Sequence, residues 1–390
     1  MKRFAVGLLA LALVLSVLSG CGSTATKKGE IVIGEIAALT GPTALTGLQE
    51  QKGVQMAIDE LNAKGGVAGY TFKLVTYDFK GQAEEGVSAY KRLVQQDKAV
   101  AIIGTNFSNV NIAMAPVAEG AGFQVPVVHN SIDPRATTPK EGQVYQYSFL
   151  AQPSAIGWGK AMGRAAIEQL KAKRIAVLVN NGLAFATSQA DPFKEYVKSQ
   201  GATIVADESY APGTTDYKAL LTKIKAANPD LILIPQYAPE GGVAAQQARE
   251  LGITAAILGP NTFGTEDFTK VAAAAAEGVY FVNNVDFTDK SFDDFKKRYE
   301  AKYSESIKTV NVLFGYDNMM IIADALKRAG SAEPKALRDA LEKTSGVTIL
   351  QGDGKITIDP KVHRPTNVPV ILFQWKGGKA VNISKIPAGE

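Results

Sequence analysis

The sequence predicts an α/β protein made of two doubly wound parallel-sheet lobes with a cleft between them. Three observations carry this expectation. Short apolar runs alternate with amphipathic helical stretches from Glu30 onward, an order that implies a parallel sheet with helices on both faces. The alternation restarts at Ile156. A chain of 390 residues also exceeds what one hydrophobic core usually serves.

Each element has its own signal. Ile31-Val32-Ile33 leads through a Gly/Pro/Thr loop to Val54, Ala57, Ile58 and Leu61, whose spacing is the apolar stripe of a helix. Ala63-Lys64-Gly65-Gly66 ends that helix. A strand near Phe72–Tyr77, a helix near Glu84–Gln96, a strand at Val100–Ile103, a helix near Asn109–Ala121 and a strand at Val125–Val128 complete the first set. In the second set, helices are expected at Ile156–Leu170, Pro192–Ser199, Tyr217–Ala227 and Gly242–Leu251. Strands are expected at Ile175–Val179, Thr203–Val205, Leu231–Pro235, Ala256–Leu258 and Val279–Val282. The alanine run 272–276 reads as helix, since alanine has the best helix propensity. Downstream, Phe292–Tyr303, Val312–Arg328 and Pro334–Thr344 read as helices, and Lys355–Ile358 and Val368–Gln374 as strands. Asp353-Gly354 is a turn signal. Ligands in such sheets bind beyond the carboxyl ends of the strands. That rule places 105–109, 129–133, 180–185, 236–240 and 259–262 around the cleft.

The N-terminus has an address of its own. Lys2 and Arg3 precede an apolar run from Phe4 to Leu18, closed by Ser19-Gly20-Cys21. A charged start, an apolar stretch of about 15 residues and a small-residue box are the layout of a secretory signal. Cys21, the single cysteine, stands where a lipobox puts its modified residue, and GSTATKKG at 22–29 reads as a flexible tether. With Cys21 acylated, no thiol is left for a disulfide, a redox motif or a metal site.

Composition and motifs narrow the function. The chain carries 42 basic and 38 acidic side chains, and the leader removes two of the basic ones, leaving no basic field for nucleic acid. No H-E-x-x-H, G-x-S-x-G or G-x-G-x-x-G is present, and nothing assembles a nucleophile, a base and an oxyanion donor. The chain therefore reads as no enzyme, with no cofactor and no metal site. Of the two histidines, His129 follows a strand and reads mainly as packing or hydrogen bonding, and His363 as part of a surface loop.

Several stretches then carry a likeness: Leu39-Thr40-Gly41-Pro42, Gly53 and Ala57 with IDELNAKGGVAG at 58–69, Ile103-Gly104-Thr105 through Ser108, and Gln236-Tyr237 with Pro239 to Gly241. In order and spacing they resemble the branched-chain amino-acid group of ABC-transporter substrate-binding proteins, the leucine/isoleucine/valine-binding type. The resemblance implies a type I periplasmic-binding fold whose lobes are joined by three crossings. Lobe 1 would take residues 30–148 plus 281–366, and lobe 2 residues 149–280 plus 367–390, behind a signal peptide 1–20 and a tether 21–29. It implies ligand contacts from Asn106, Phe107, Ser108, Asn130, Ser131, Phe185, Tyr237 and Asn261. Ser108 would offer its hydroxyl and neighbouring N–H groups to a carboxylate at a helix N-terminus; the same residue also reads as a plain N-cap serine.

Three positions depart from the family's pattern. Asn261 stands where amino-acid binders often place an acid for the ligand's ammonium group, Ile132 where a threonine is usual, and Thr46 where an aromatic is frequent. Asp133, Asp267 and Asp317 are candidate substitutes for the acid. The solute is accordingly an amino acid held differently, an amide, a urea-like compound or an aromatic carboxylate. The expected protein is an exported, monomeric, lipid-anchored solute receptor that serves an ABC permease from the periplasmic or extracellular side. The alternative is a sensory receptor of the same fold signalling to a membrane partner.

Overall fold

A computed structural model describes residues 28–366, 368–387 and 389–390. The expected signal 1–20, the lipid site Cys21 and residues 22–27 of the tether lie outside the described residues. The last two tether residues belong to the fold: the Lys28 N–H donates to the Gly69 carbonyl at 2.8 Å, and Gly29 opens the first strand.

The first lobe is built from β1 (Gly29–Ala37), α1 (Ala44–Ala63), β2 (Tyr70–Asp78), α2 (Ala83–Gln95), β3 (Ala101–Ile103), α3 (Ser108–Ala118), β4 (Val127–His129) and β5 (Ser148–Leu150). The second takes α4 (Ala155–Arg164), β6 (Arg174–Asn180), α5 (Ala184–Ser199), β7 (Thr203–Tyr210), α6 (Lys218–Ala226), β8 (Leu231–Leu233), α7 (Ala238–Glu250), β9 (Ala256–Gly259), α8 (Glu266–Ala272) and β10 (Tyr280–Asn283). The chain then returns to the first lobe with α9 (Asp293–Tyr303), α10 (Asn311–Ala329), α11 (Pro334–Glu342), β11 (Val347–Thr348) and β12 (Lys355–Ile356). It finishes on the second with β13 (Val370–Lys376) and β14 (Lys379–Ile386).

The sheet of the first lobe runs β2-β1-β3-β4-β5, parallel throughout. That of the second runs β14-β13-β10-β9-β8-β6-β7, parallel except at one edge, where β13 pairs antiparallel with both β10 and β14. Alternation along the strands feeds two cores per lobe, because successive side chains leave opposite faces. In β6, Ile175, Val177 and Val179 enter one core, and Ala176 and Leu178 the other. Ala101 and Ile103 of β3 divide from Ile102 in the same way. Strands buried on both faces read as continuous apolar runs, which is why their positions could be taken from the sequence.

The two long helices of the first lobe, α1 and α10, cross at a pair of glycines. A Cβ on Gly53 would lie 1.9 Å from the Val312 carbonyl oxygen, and one on Gly315 2.1 Å from that of Glu50. Glycine in a helix interior costs about 1 kcal/mol against alanine, and here it permits backbone-to-backbone contact. Gly53→Ala is expected to lower the unfolding free energy by about 3 kcal/mol, since neither backbone can yield without unpacking the lobe. Urea denaturation of the variant beside the parent checks this, and equal midpoints would rule out the tight crossing.

Several expectations are corrected. The boundaries at 148/149 and 280/281 cut through β5 and β10; sheet membership puts the crossings after Leu150 and after Asn283. Helix α5 begins eight residues before Pro192 and carries that proline inside it. The alanine run is helical only to Ala272. Ala273 takes φ +47° and residues 273–276 form a 3-10 turn, since the chain must turn there to enter β10 and intrinsic propensity yields to that demand. His363 is not in a surface loop. It is fully buried, its ring is stacked on Phe149 at 4.3 Å, and its carbonyl accepts from the Leu150 N–H at 3.0 Å.

The crossings are tied together by polar contacts. The Arg364 guanidinium holds the Glu390 carboxylate in a bidentate pair, at 2.7 and 2.9 Å, and donates to the Thr137 and Thr138 hydroxyls. Ser154, which caps α4, donates to the same carboxylate. Asp317 accepts from the N–H groups of Leu350 and Gln351, at 2.7 and 3.1 Å, and from the Gln351 amide.

Candidate functional site

The loops that follow the parallel strands converge between the lobes, as the topology demands. After β3, Gly104 lets the chain pass His129 and Val127, where a Cβ would come within 2.9 Å of both side chains. Asn106 and Phe107 follow, and α3 starts at Ser108 with Phe107 in the N-cap position. Asn130 to Asp133 follow β4, and Gln152 follows β5. The second lobe contributes Phe185 from the first turn of α5, Tyr237 at the N-cap of α7, and Asn261 in the 3-10 turn after Gly259-Pro260.

These groups wall a cavity between the lobes, the kind of concave, ring-lined place where small-molecule sites occur. Six of the eight expected residues line it: Asn106, Phe107, Asn130, Phe185, Tyr237 and Asn261. The lobes meet across it. Phe107 of the first lobe lies 5.2 Å from Tyr237 of the second, ring centre to ring centre, and Tyr237 stacks on Phe185 at 4.7 Å. The Ala184 N–H donates to the Asn109 side-chain oxygen at 3.0 Å, a direct interlobe bond. Burial pushes the Tyr237 phenol up, the nearby Glu240 adding to it, so the hydroxyl stays protonated.

Ser108 and Ser131 do not line the cavity, because both hydroxyls have inward partners. Ser108 accepts from the Asp133 N–H at 3.3 Å, which ties α3 to the loop after β4. Ser131 bonds to His129 Nδ1 at 2.9 Å, and His129 Nε2 bonds to Ser148 at 3.1 Å. Burial pushes the His129 imidazole down to about 3, so it is a neutral strut. This is the packing and hydrogen-bonding role expected of it.

The most telling polar group is Asn130. It is 1% exposed, yet neither atom of its amide has a hydrogen-bond partner among the described residues. Gln152 donates to the Asn130 carbonyl and leaves its own amide oxygen unpartnered, and the Asn311 amide nitrogen is in the same condition. All three residues line the cavity. Buried polar groups are normally satisfied, and each exception asks for a cause. Gln152 was missed because β5 is too short to be seen in sequence. Asn311 and Phe314 were missed because they project from α10, outside the strand-end rule.

Of the three acids considered for an ammonium group, Asp133 is paired with Arg135 at 2.6 Å and Asp317 is occupied by the 350–351 loop. Burial lifts the Asp317 carboxyl to about 7 against the bonds it accepts. Only Asp267 lines the cavity.

The sequence profile of the family described as "Periplasmic binding protein" matches residues 30–380. The chain belongs to that family. Among relatives of this periplasmic binding protein is the Leu/Ile/Val-binding protein BraC3 of Rhizobium johnstonii, 30% identical over 90% of this chain and 93% of the relative. Solved structures agree. The branched-chain amino acid transporter substrate-binding protein LivJ of Streptococcus pneumoniae, in complex with isoleucine, superposes with a TM-score of 0.81 at 29% identity, covering 93% of this chain and all of that one. Leucine-binding protein LivK of Thermotoga maritima also gives 0.81, at 26% identity over 91% and 98% of the two chains. The two-lobed α/β architecture is thus that of type I periplasmic binding proteins, a family of solute binders and not of enzymes. No helix among the described residues of this binding protein is long and apolar enough to cross a membrane.

Proposed function

We propose that the protein is a lipid-anchored, extracytoplasmic receptor of an ABC importer. It binds an amino acid or a related small carboxylate or amide in the interlobe cleft and delivers it to the permease. Export by the leader and acylation of Cys21 keep the receptor beside its membrane partner. Asn106, Phe107, Asn130, Phe185, Tyr237 and Asn261 touch the solute, and Ser108 and Ser131 act behind them by fixing the loops. The observation that carries this reading is the unpartnered amide of Asn130 facing an aromatic-walled cavity between two lobes. Solute favours the closed form to the extent that it binds that form better than the open one.

The test is mass spectrometry of small molecules released on denaturing the natively purified protein, followed by calorimetry with whatever is found. A stoichiometric small polar solute is expected. A folded protein that releases none, and binds none of an amino-acid, amide and aromatic-acid panel, would sink the reading.

A further inference from the structure

We propose that Asn109 of the first lobe caps helix α5 of the second, and that this cap in trans raises the affinity for every solute by the same factor. The inference rests on the cleft being the solute site and adds a positioning residue that acts without touching the solute. The first N–H groups of a helix have no partner within it, and a Ser, Thr, Asp or Asn at the N-cap ordinarily accepts from one of them. Helices α4 and α8 follow that rule through Ser154 and Thr265. Helix α5 does not. Its N-cap is Leu183, whose side chain has no acceptor, and its first turn holds no acid to offset the positive end of the helix. The acceptor comes instead from across the cleft: Ala184, the first residue of α5, donates its N–H to Asn109 Oδ1 at 3.0 Å.

The two sides of this bond are built into the site. Asn109 is the second residue of α3, directly after Ser108, whose hydroxyl accepts from the Asp133 N–H. The acceptor is therefore carried on a helix start that is tied to the loop after β4. On the other side, the residue after Ala184 is Phe185, which lines the cavity and stacks on Tyr237. Fixing the first turn of α5 fixes the Phe185 ring in the cleft wall. Because the bond joins the lobes, it contributes when they are together, and a solute held between both lobes shares that contribution. Neither Asn109 nor Ala184 is among the lining residues of the cavity, so the contribution does not depend on the chemistry of the solute. The N-termini of α3 and α5 also meet here, positive end to positive end, so a negative charge at position 109 would serve both.

Calorimetry on Asn109→Ala and Asn109→Asp tests this, with L-isoleucine, L-phenylalanine, propionamide, benzoate and any solute released by the native protein, each used where the parent binds it. Loss of a cap is expected to make Asn109→Ala bind all of these about fivefold more weakly. Aspartate keeps the acceptor and adds the charge, so Asn109→Asp is expected to bind at least as tightly as the parent. Alanine is the better helix former, so the thermal midpoint of solute-free Asn109→Ala should not fall. Hydrogen exchange on the solute-saturated protein reads the cap itself. The Ala184 amide is expected to exchange about fivefold faster in Asn109→Ala, and no faster than in the parent in Asn109→Asp. Unchanged affinity in Asn109→Ala, a loss confined to one solute, or an Asn109→Asp protein as weak as Asn109→Ala would each overturn the inference and leave the receptor reading standing. A folded parent that binds none of the probes and releases no solute would take both.

Discussion

Replacing Glu35 by glutamine is expected to make the protein more stable at pH 8 and to leave it nearly unchanged at pH 5. Glu35 on β1 is fully buried, and burial lifts its carboxyl to about 8 in spite of the Thr76 hydroxyl that donates to it at 2.7 Å. Glu50 on α1 is buried with neither oxygen partnered among the described residues, and burial together with the charge of Glu35 raises it too. The sign follows from proton counting. Between the ordinary carboxyl value of 4.5 and about 8 the folded state keeps the Glu35 proton that the unfolded state has lost, so stability falls as pH rises through that window. Each pH unit costs at most about 1.4 kcal/mol per group, which sets a ceiling of roughly 4 to 5 kcal/mol for Glu35. Asp317, lifted to about 7, acts in the same direction at lower pH. Buried His129, held neutral, acts in the opposite direction below its unfolded value of 6.5. The informative quantity is therefore the difference between parent and variant, with Glu50→Gln as a second member of the series. Urea unfolding at pH 5, 6, 7 and 8 gives it. Parallel curves for parent and Glu35→Gln would mean that Glu35 is ionised in the folded protein.

The same residues mark the reach of sequence reasoning. Strand positions were legible wherever a strand is buried on both faces, as in Ile175–Val179, because apolar character is then required at every position. β14 was not legible. It is an edge strand whose side chains are mostly exposed, so Lys379, Asn382 and Lys385 carry no pattern that marks pairing. The strand-end rule placed Asn106, Phe107, Asn130, Phe185, Tyr237 and Asn261 at one cleft because it depends on topology alone. It could not say where a hydroxyl points. Ser108 and Ser131 sit in the right loops, yet their partners, the Asp133 N–H and His129, are fixed by packing between segments that are apart in sequence. His363 has the same lesson in reverse: Lys361-Val362-His363-Arg364 looks like surface, but the last two are buried and each finds a partner, Phe149 for the ring and Glu390 for the guanidinium.

Removing the Tyr237 side chain is expected to weaken solute binding by about 30- to 100-fold with little loss of stability in the solute-free protein. Tyr237 belongs to the second lobe and lies only partly within its core, packed between Phe185 of its own lobe and Phe107 of the other. Phe107 belongs to the other lobe, so the ring's packing against it depends on the two lobes being together. An aromatic pair and the apolar area it buries together contribute about 2 to 3 kcal/mol, which at about 1.4 kcal/mol per tenfold gives the range stated. Because the loss falls on closure, it should extend to every solute the cleft accepts, and Tyr237→Phe should retain most of the affinity. Calorimetry gives the affinities, and small-angle scattering with saturating solute gives the closure, which Tyr237→Ala should leave less complete at matched concentration. If Tyr237→Ala closes and binds like the parent, the aromatic bridge between the lobes is packing without consequence for recognition, and the affinity must come from the first-lobe amides at Asn130, Gln152 and Asn311 alone.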